Sequence, residues 1–360
     1  MGQYEHMPRA RDLGITIGGL PTGPTNSVLD VAGVGLGHVT LTRETARTGV
    51  SCLFLDEDAY PRPLVGGGAV LNGLGDCTGF LSLQESGLFE SPVYLTSTSQ
   101  VGRVYDAAFM LELERHPAIV DDIFVPVVAE CDDSFLNDIR TMWVSPDDVQ
   151  AAHQAALASR GGTSPPEEGS VGGGTGMSCL GFKGGIGTSS RVTPGGHTVA
   201  VLLMTNFGQR DRLTVDGVPV GRLLPEHVDP PKPAGSCIGV VVTDAPVDPI
   251  GCERLARRIG LGLARTGSTA HHGSGEIFLA VSTTARTDRN GTVLDEDGGG
   301  RRLAMRGLDD LFEAVVDAAE EAVLNSLLMS PTMVGRDGNT SEGLDPDTVV
   351  RLMREHGRGH

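Results

Sequence analysis

The chain has 360 residues, enough for one large domain or two ordinary ones, and its 39% hydrophobic residues are typical of a globular protein. Its formal net charge of -18, from 28 Lys and Arg against 46 Asp and Glu, repels phosphate backbones and anionic lipids. This charge argues against nucleic acid or a membrane as a main partner; it is ordinary for a well-solvated surface, although it also attracts cationic substrates.

Neither a targeting segment nor a membrane span is expected. The stretch MGQYEHMPRARDLG has no apolar region of the signal-peptide type, and no run reaches the roughly 18 apolar residues of a span. The six cysteines are scattered and include no C-x-x-C pair. They favour reduced thiols over a disulfide framework or a structural zinc site, so we expect a cytoplasmic protein.

The first half of the chain is predicted to consist of strands and glycine-rich turns, because the sequence holds 51 glycines and 21 prolines. Helices are predicted at 101–114 and 146–160, the second beginning with an N-cap serine followed by proline. The segments 161–170 and 286–302 have no apolar period and are predicted to be loops. Strands are predicted at the continuous apolar runs 50–55, 92–95, 123–129 and 198–204.

The last third has clearer patterns. Strands are predicted at 237–243 and 277–283, and a helix at 252–265 lies between them. The helix predicted at 308–328 has apolar residues at three- and four-residue steps, and a short helix is predicted at 345–356. Grouped strands and paired helices predict a layered α/β fold with mixed sheets rather than a strict βαβ alternation.

Several familiar motifs are incomplete in this sequence. The segment GVGLG at 33–37 lacks a third glycine at the spacing of a dinucleotide fingerprint, and it lacks the following helix. In the glycine-rich segment 171–191, Lys183 has neither the preceding glycine nor the following Ser or Thr of a phosphate-binding loop. This segment is better explained as a glycine-lined wall of a substrate pocket. His271 and His272 form no metal-binding motif, and there is no G-x-S-x-G elbow.

The proline-rich segment 225–235 ends at Gly235, and Ser236 then begins a predicted buried strand. An extended arm that meets a rigid strand allows a serine hydroxyl to attack the preceding carbonyl, and glycine has no Cβ to hinder it. Hydrolysis of the resulting ester would leave Ser236 as a new N-terminus, whose α-amine, with a reference pKa near ~8, can act as a base. Spacing alone, however, favours a simple turn before a strand.

A second polar cluster, GSGE at 273–276, precedes the predicted strand at 277. Residues two apart on a strand face the same side, so Ser274 and Glu276 are predicted to converge. A hydroxyl beside a carboxylate can relay a proton and orient an amine, although this cluster is also compatible with a β-turn.

Together these segments resemble the DmpA-like peptidases, also called the P1 or S58 family, which include L-aminopeptidase D-esterase/amidases and β-peptidyl aminopeptidases. The resemblance extends over nearly the whole chain, and it rests on the order and spacing of the motifs rather than on any one of them. The motifs are TGPTNS at 22–27, DVAGV at 30–34, GH at 37–38, AVLNG at 69–73, the glycine-rich 172–191, TNFG at 205–208, GS at 235–236, TDAP at 243–246, GSGE at 273–276 and GRDG at 335–338.

The resemblance implies an αββα four-layer sandwich, similar in shape to N-terminal-nucleophile hydrolases but differently connected. It implies a single catalytic domain over 1–360 that cuts itself into an α chain (1–235) and a β chain (236–360). It also implies assembly into a homo-oligomer, a tetramer of αβ units, and activity without a metal or organic cofactor. The implied substrates are small peptides, aminoacyl amides or esters with a free N-terminus.

Site roles follow from the same resemblance. Ser236 matches the nucleophile, and Ser274 and Glu276 match the partners that hold the serine and its amine. Asn206 matches an oxyanion-hole donor, a role that suits a side-chain amide. The site also includes a glutamate for the substrate's free amine, which corresponds to Glu130.

The sequence departs from the family at Asp132, where relatives carry a tyrosine near the oxyanion. A carboxylate does not help a developing anion unless it is protonated, but it can hold a cationic substrate. Asp132 therefore affects the expected substrate preference and not the identity of the nucleophile.

Three alternatives stay open. The same architecture supports acyltransferases, which pass the acyl group to an amine, and hydrolases of nylon oligomers or pantetheine. Those relatives tend to use threonine as the nucleophile, so Ser236 argues against them. An inactive scaffold is the third alternative, and failure to process would be its signature. Both α- and β-amino acids remain candidates for the released residue.

Overall fold

The computed structural model describes residues 7–225, 235–294, 303 and 305–358, without the side chains of 305 and 306. Most of the proline-rich segment predicted at 225–235 and the second half of the loop predicted at 286–302 lie outside these ranges. The helices are α1 (Phe80–Ser86), α2 (Val101–Arg115), α3 (Pro146–Ser159), α4 (Val220–Leu223), α5 (Pro249–Thr266), α6 (Asp309–Leu328) and α7 (Pro346–Glu355).

The strands within these ranges vary from two to thirteen residues. They are β1 (Gly35–Leu41), β2 (Thr48–Phe54), β3 (Leu64–Gly73), β4 (Leu88–Phe89), β5 (Val93–Ser97), β6 (Val127–Cys131), β7 (Ser178–Cys179), β8 (Phe182–Lys183), β9 (Ile186–Val192), β10 (Thr198–Asn206), β11 (Ser236–Thr243), β12 (Gly275–Thr287), β13 (Val293–Leu294), β14 (Met333–Val334) and β15 (Thr340–Ser341).

Two sheets form the inner layers of the molecule. The smaller has the strand order β1-β2-β5-β6, and the larger has the order β4-β3-β12-β11-β10-β9, with β13 paired to β12. Helices α2 and α3 pack on the smaller sheet, whereas α5 and α6 pack on the larger one. The predicted αββα sandwich of mixed sheets is therefore confirmed.

Apolar side chains from both sheets meet in the layer between them. All eight residues of β11 are buried, which explains why its sequence is a continuous β-branched run rather than an alternating pattern. Its even-numbered residues face the other sheet and its odd-numbered residues face α5 and α6. The residues of β6, β10, β11 and β12 in the inter-sheet core include Val127, Ala129, Leu202, Met204, Ile238, Val240, Ile277 and Leu279.

Side-chain caps set the helix boundaries largely as the sequence predicts. The Ser145 hydroxyl accepts a hydrogen bond from the Asp148 N–H (3.3 Å), and Asp148 accepts one in return from the Ser145 N–H (2.8 Å), a reciprocal capping box. The helix predicted at 252–265 begins three residues earlier, because Asp248 caps it and Pro249 takes its first position.

Two strand predictions are wrong in extent. The strand predicted at 123–129 begins only at Val127, because Pro126 has no N–H to contribute to a ladder. Strand β12 continues past 283 to Thr287, into the segment predicted as a loop. Its Arg286 pairs with Leu64 on one side and Leu294 on the other. Of the helices in the described ranges, none has both the length and the apolar character that crossing a bilayer requires.

A buried ion pair fastens α6 to the edge strand β9. Arg191 and Glu321 are both fully buried, and their Nη2 and Oε2 atoms lie 2.7 Å apart. Glu321 also accepts hydrogen bonds from Arg11 Nε (3.0 Å) and Asn26 Nδ2 (2.5 Å). One carboxylate therefore pairs with two guanidinium groups and ties the N-terminal segment to the helix layer.

Replacing this carboxylate should destabilise the fold. Glu321→Ala leaves Arg191 buried without its partner, so we expect the free energy of unfolding to fall by about 3–5 kcal/mol in urea titrations. Glu355→Ala, which removes the exposed pair with Arg351, is the matched control and should cost no more than about 1 kcal/mol. Equal losses in the two variants would contradict this account.

Candidate active site

Strand register brings the ends of three neighbouring inner strands of the larger sheet together. Strand β10 runs antiparallel to β11, and its last residue Asn206 pairs with Ser236, the first residue of β11. Strand β12 runs parallel to β11, and its first residue Gly275 pairs with Ser236 from the other side. Segments that are far apart in sequence thus meet around Ser236.

Ser236 is 5% exposed, and its Oγ accepts a hydrogen bond from the Gly275 N–H at 3.2 Å. The preceding residue, Gly235, lies so close to β10 that a Cβ there would be 2.0 Å from the Asn206 carbonyl oxygen. Any side chain at position 235 would therefore push the Gly235–Ser236 peptide out of place. This contact explains why glycine precedes the serine.

Ser274 and Glu276 do converge, as the sequence predicts. The Ser274 hydroxyl donates a hydrogen bond to Glu276 Oε1, and both side chains are buried. Burial raises the pKa of Glu276, and the hydrogen bond from Ser274 partly offsets that rise. The second oxygen, Oε2, is buried and accepts no hydrogen bond from any residue in the described ranges.

A β-bulge accompanies this pair. Glu276 pairs with Asn72 and Ile277 pairs with Val70, so Leu71 is an extra residue on β3. Bulges of this kind re-aim side chains beside active sites. Asn72 also fixes the turn before β12, since its Nδ2 donates to the carbonyls of Ser274 and His271.

The carboxamide of Asn206 is held at both ends. Its Oδ1 accepts from the Ser178 N–H at 2.9 Å, and its Nδ2 donates to the Asp132 carbonyl at 2.8 Å. An amide nitrogen has two N–H groups, so one remains for a ligand. Asn206 also lines a pocket of about 60 Å³ together with Asp132, Phe135, Gly176, Ser178, Phe207, Gly208 and Gly235.

Two carboxyl groups reach the site from the end of β6, in the smaller sheet. Glu130 is buried and accepts hydrogen bonds from the Asp76 N–H (2.9 Å) and the Thr98 hydroxyl. Burial raises the pKa of Glu130, these hydrogen bonds lower it, and the nearby carboxylates of Asp132 and Asp76 raise it further. Asp132 is half-buried in the pocket, where the Ser134 N–H and hydroxyl hold its two oxygens.

The thiols beside the site are poor nucleophiles. Cys237 follows Ser236 in β11, and Cys131 ends β6. Both are fully buried, and burial raises the pKa of each thiol well above its ordinary value. They remain protonated at neutral pH, so the hydroxyl of Ser236 has no thiolate rival in its immediate surroundings. Within the described ranges, no group of three or more His, Cys, Asp or Glu side chains is placed to hold a metal ion.

The structure brings together the residues that the sequence singled out, with one gap. Among the described residues no hydrogen bond joins Ser236 to Ser274 or Glu276; the Gly275 N–H is the link between them. Three contributors, Asn72, Thr98 and Ser178, received no role from the sequence. Asn72 stands in the AVLNG motif and Ser178 in the glycine-rich segment 172–191, so both had a usable signal, although the contact of Ser178 is made by its backbone N–H.

Comparisons with known proteins agree with this geometry. The sequence profile of peptidase family S58 matches residues 26–341. The chain is 36% identical to the β-peptidyl aminopeptidase BapA of Sphingosinicella microcystinivorans, over 98% of this chain and 93% of that protein. The solved structure of a β-aminopeptidase from a Burkholderia species superposes with a TM-score of 0.87 and 40% identity, covering 97% of this chain and 99% of the other.

A third relative is the L-aminopeptidase D-Ala-esterase/amidase of Ochrobactrum anthropi, described as a prototype of the serine aminopeptidases and a new variant of the N-terminal-nucleophile hydrolase fold. It superposes with a TM-score of 0.88 at 35% identity, over 98% of this chain and all of the other. At these identities and coverages the likeness extends to the family and not only to the fold.

The pH dependence of stability provides a test beside the pocket. Asp133 is fully buried, and burial raises the pKa of its carboxyl from 3.8 to about 7. Because the folded state holds this proton more tightly, the stability it contributes is complete below about pH 4 and is lost as the pH rises through 7. Asp133→Asn keeps the oxygen that accepts from Asn137 Nδ2 and cannot ionise.

We therefore expect Asp133→Asn to gain roughly 1–3 kcal/mol relative to the unsubstituted protein between pH 5 and pH 8, since one pKa unit corresponds to about 1.4 kcal/mol. Urea unfolding at the two pH values measures this difference. Asp347→Asn, at an exposed position in α7, serves as the control and should follow the unsubstituted protein. A constant difference between the Asp133 variant and the unsubstituted protein would show that Asp133 does not titrate in this range.

Proposed function

The chain belongs to peptidase family S58, and on that premise we propose that it is an N-terminal-serine aminopeptidase that matures by cutting itself between Gly235 and Ser236. Its membership makes it a hydrolase of the aminopeptidase class. The observation that carries the finer proposal is the seating of Ser236: a buried hydroxyl at the start of a rigid strand, directly after a glycine that the neighbouring strand tolerates only without a side chain.

Self-cleavage begins with attack of Ser236 Oγ on the Gly235 carbonyl carbon. The C–O bond forms, the C–N bond to Ser236 breaks, and the hydroxyl proton moves to the departing nitrogen, which becomes the α-amine of Ser236. Water then hydrolyses the ester, giving the Gly235 carboxylate and a free Ser236 hydroxyl. The products are the α chain (1–235) and the β chain (236–360), in keeping with a single catalytic domain over 1–360.

The new α-amine changes the chemistry of the site. It can take the proton from Ser236 Oγ as the hydroxyl attacks a substrate carbonyl, and give it to the departing amine. Its arrival also provides a partner for Glu276, whose Oε2 has none among the described residues before cleavage. Ser274 and Glu276 then orient the amine, and the spare N–H of Asn206 stabilises the oxyanion of the tetrahedral intermediate.

The negative charge around the pocket supports a substrate with a free amine. Glu130 and Asp132 lie together at the end of β6, and the carboxylate of Asp132 contributes to the raised pKa of the buried carboxyls of Glu130 and Asp133. A substrate ammonium group relieves that repulsion, and we assign its binding to Glu130 with help from Asp132. We expect N-terminal α- or β-amino acids to be released from peptides, amides or esters, with β-aminoacyl compounds first because two of the relatives described above are β-aminopeptidases.

Two further parts of the proposal concern the assembled protein. Apolar side chains of Val70, Leu71 and Leu74 at the end of β3 and of Leu261 on α5 are between 48% and 60% exposed. A second copy of the chain packed against these side chains would remove them from water, which supports a homo-oligomer. We propose that it is a tetramer of αβ units. A cytoplasmic location is supported by six free, buried cysteines.

Aminoacyl anilides test the activity. We expect release of p-nitroaniline from β- or α-aminoacyl p-nitroanilides, and a fall of roughly 10⁴-fold or more in kcat for Ser236→Ala, because the nucleophile is gone. Acetylation of the substrate amine should lower kcat/KM by roughly 100-fold, because a charge-assisted hydrogen bond is lost. Ser164→Ala, in an exposed loop, is the control and should leave turnover unchanged.

Two results would contradict the proposal. If Ser236→Ala kept full turnover, another nucleophile would have to be sought. If the acyl group left the enzyme only when an amine acceptor was supplied, the protein would be an acyltransferase.

A further inference from the structure

Lys183 is a fully buried lysine in the glycine-rich segment near the pocket. Its ammonium group donates hydrogen bonds to the carbonyl oxygens of Met177 (2.6 Å), Gly184 (2.6 Å) and Gly174 (3.3 Å). An ammonium group has three N–H donors, and here three backbone carbonyls accept them. Hydrogen bonds from a charged donor are roughly twice as strong as neutral ones, so this side chain holds the backbone around it firmly.

The surrounding backbone leaves little room for another arrangement. A Cβ on Gly174 would lie 2.6 Å from the Ile186 nitrogen, and one on Gly184 would lie 2.6 Å from the Cβ of Cys179. The segment therefore folds back on itself around the lysine, with glycines at the positions where the backbone is too close for a side chain. Its carbonyls point inward at the ammonium group, which fixes the orientation of the intervening peptides.

One of those peptides reaches the active site. The Met177 carbonyl that Lys183 holds belongs to the same peptide unit as the Ser178 N–H, and that N–H donates to Asn206 Oδ1 at 2.9 Å. Since peptide units are planar, holding the carbonyl also aims the N–H. The Asn206 carboxamide in turn keeps its Nδ2 directed at the Asp132 carbonyl and the pocket, beside Ser236.

We propose that Lys183 is a positioning residue for the reaction: it holds the Met177–Ser178 peptide, and this peptide holds the Asn206 carboxamide in the orientation that stabilises the oxyanion. The inference rests on the proposed function, in which Asn206 is the oxyanion donor. The ammonium group of Lys183 binds backbone carbonyls rather than the Ser236 hydroxyl. Because it acts through the oxyanion donor, its loss should affect the transition state and leave ground-state binding almost unchanged.

The test is a double-mutant cycle with Lys183→Met and Asn206→Ala, with kcat and KM measured on an aminoacyl anilide per mole of chain bearing N-terminal Ser236. Loss of one oxyanion donor costs about 10²–10³-fold in kcat, and we expect Asn206→Ala to fall in this range. Lys183→Met should lower kcat by roughly 10-fold or more, with KM within about threefold of the unsubstituted value, since an interaction made only in the transition state is lost. In the Asn206→Ala background the same substitution should cost almost nothing.

Arg191→Lys is the matched control, because Arg191 is another fully buried cation that donates to backbone carbonyls but lies on the far side of β9, against α6. It should lower the melting temperature without changing kcat. Lys183→Gln keeps one N–H₂ donor and should give a kcat between that of the unsubstituted protein and that of Lys183→Met, so it replaces Lys183→Met if that variant does not fold.

The outcomes separate the two hypotheses. If Asn206→Ala leaves kcat unchanged, the proposed function is wrong at Asn206. If Asn206→Ala lowers kcat but the two losses add in the double variant, only the Lys183 inference is overturned. The same holds if Lys183→Met and Lys183→Gln change KM, or change neither kcat nor KM.

Self-cleavage gives a second readout. A Lys183→Met chain that folds but stays uncut while Asn206→Ala is cut also overturns the inference, because Lys183 would then act on something other than Asn206. If both stay uncut while Arg191→Lys is cut, the shared defect supports the inference.

Discussion

The register of three neighbouring strands is the constraint on which the rest of the site depends. Asn206, Ser236 and Gly275 lie side by side because β11 is paired along its whole length with β10 on one side and β12 on the other. A slip of one residue in β11 would turn Ser236 to the helix side and exchange the side chains that pack against the two layers. Packing in the inter-sheet core therefore positions the Ser236 hydroxyl, which lies on a paired strand and not on a loop.

Backbone contacts complete the site where side chains could not fit. Gly235 meets the Asn206 carbonyl, the Gly275 N–H meets Ser236 Oγ, and the Ser178 N–H meets Asn206 Oδ1. Acidic side chains from the opposite sheet supply the charge. The arrangement suits a reaction that begins on the chain's own peptide and continues on small cationic substrates.

The sequence predicted much of the fold because the central strands and long helices have strong local patterns. Strand β11 and helix α6 were predicted almost to their ends, and the Ser145 cap marked α3. The strand predicted at 123–129 is too long because the apolar run was extended across Pro126, whose missing N–H excludes the first half of the run from the ladder. The segment 286–302 was predicted as loop because turn residues hid the continuation of β12 to Thr287.

The residues of the site likewise divide into those that local sequence patterns predict and those that they do not. Ser236, Ser274 and Glu276 could be proposed because each stands beside a predicted strand and in a recognisable motif, and Glu130, Asn206 and Asp132 came only from the resemblance. The bulge at Leu71 and the Asn72 contacts depend on pairings between distant segments, and the backbone carbonyls around Lys183 on the way that its segment folds back. A single sequence does not contain that information in any local pattern.

Intact mass under denaturing conditions is the most direct test of the central claim, that Ser236 cuts the chain at its own N-terminal side. The purified protein should give two polypeptides whose masses match residues 1–235 and 236–360, with serine at the new N-terminus. The Ser236→Ala variant should remain whole. A single uncut chain in both samples, or a cut that persists in the variant, would contradict the account.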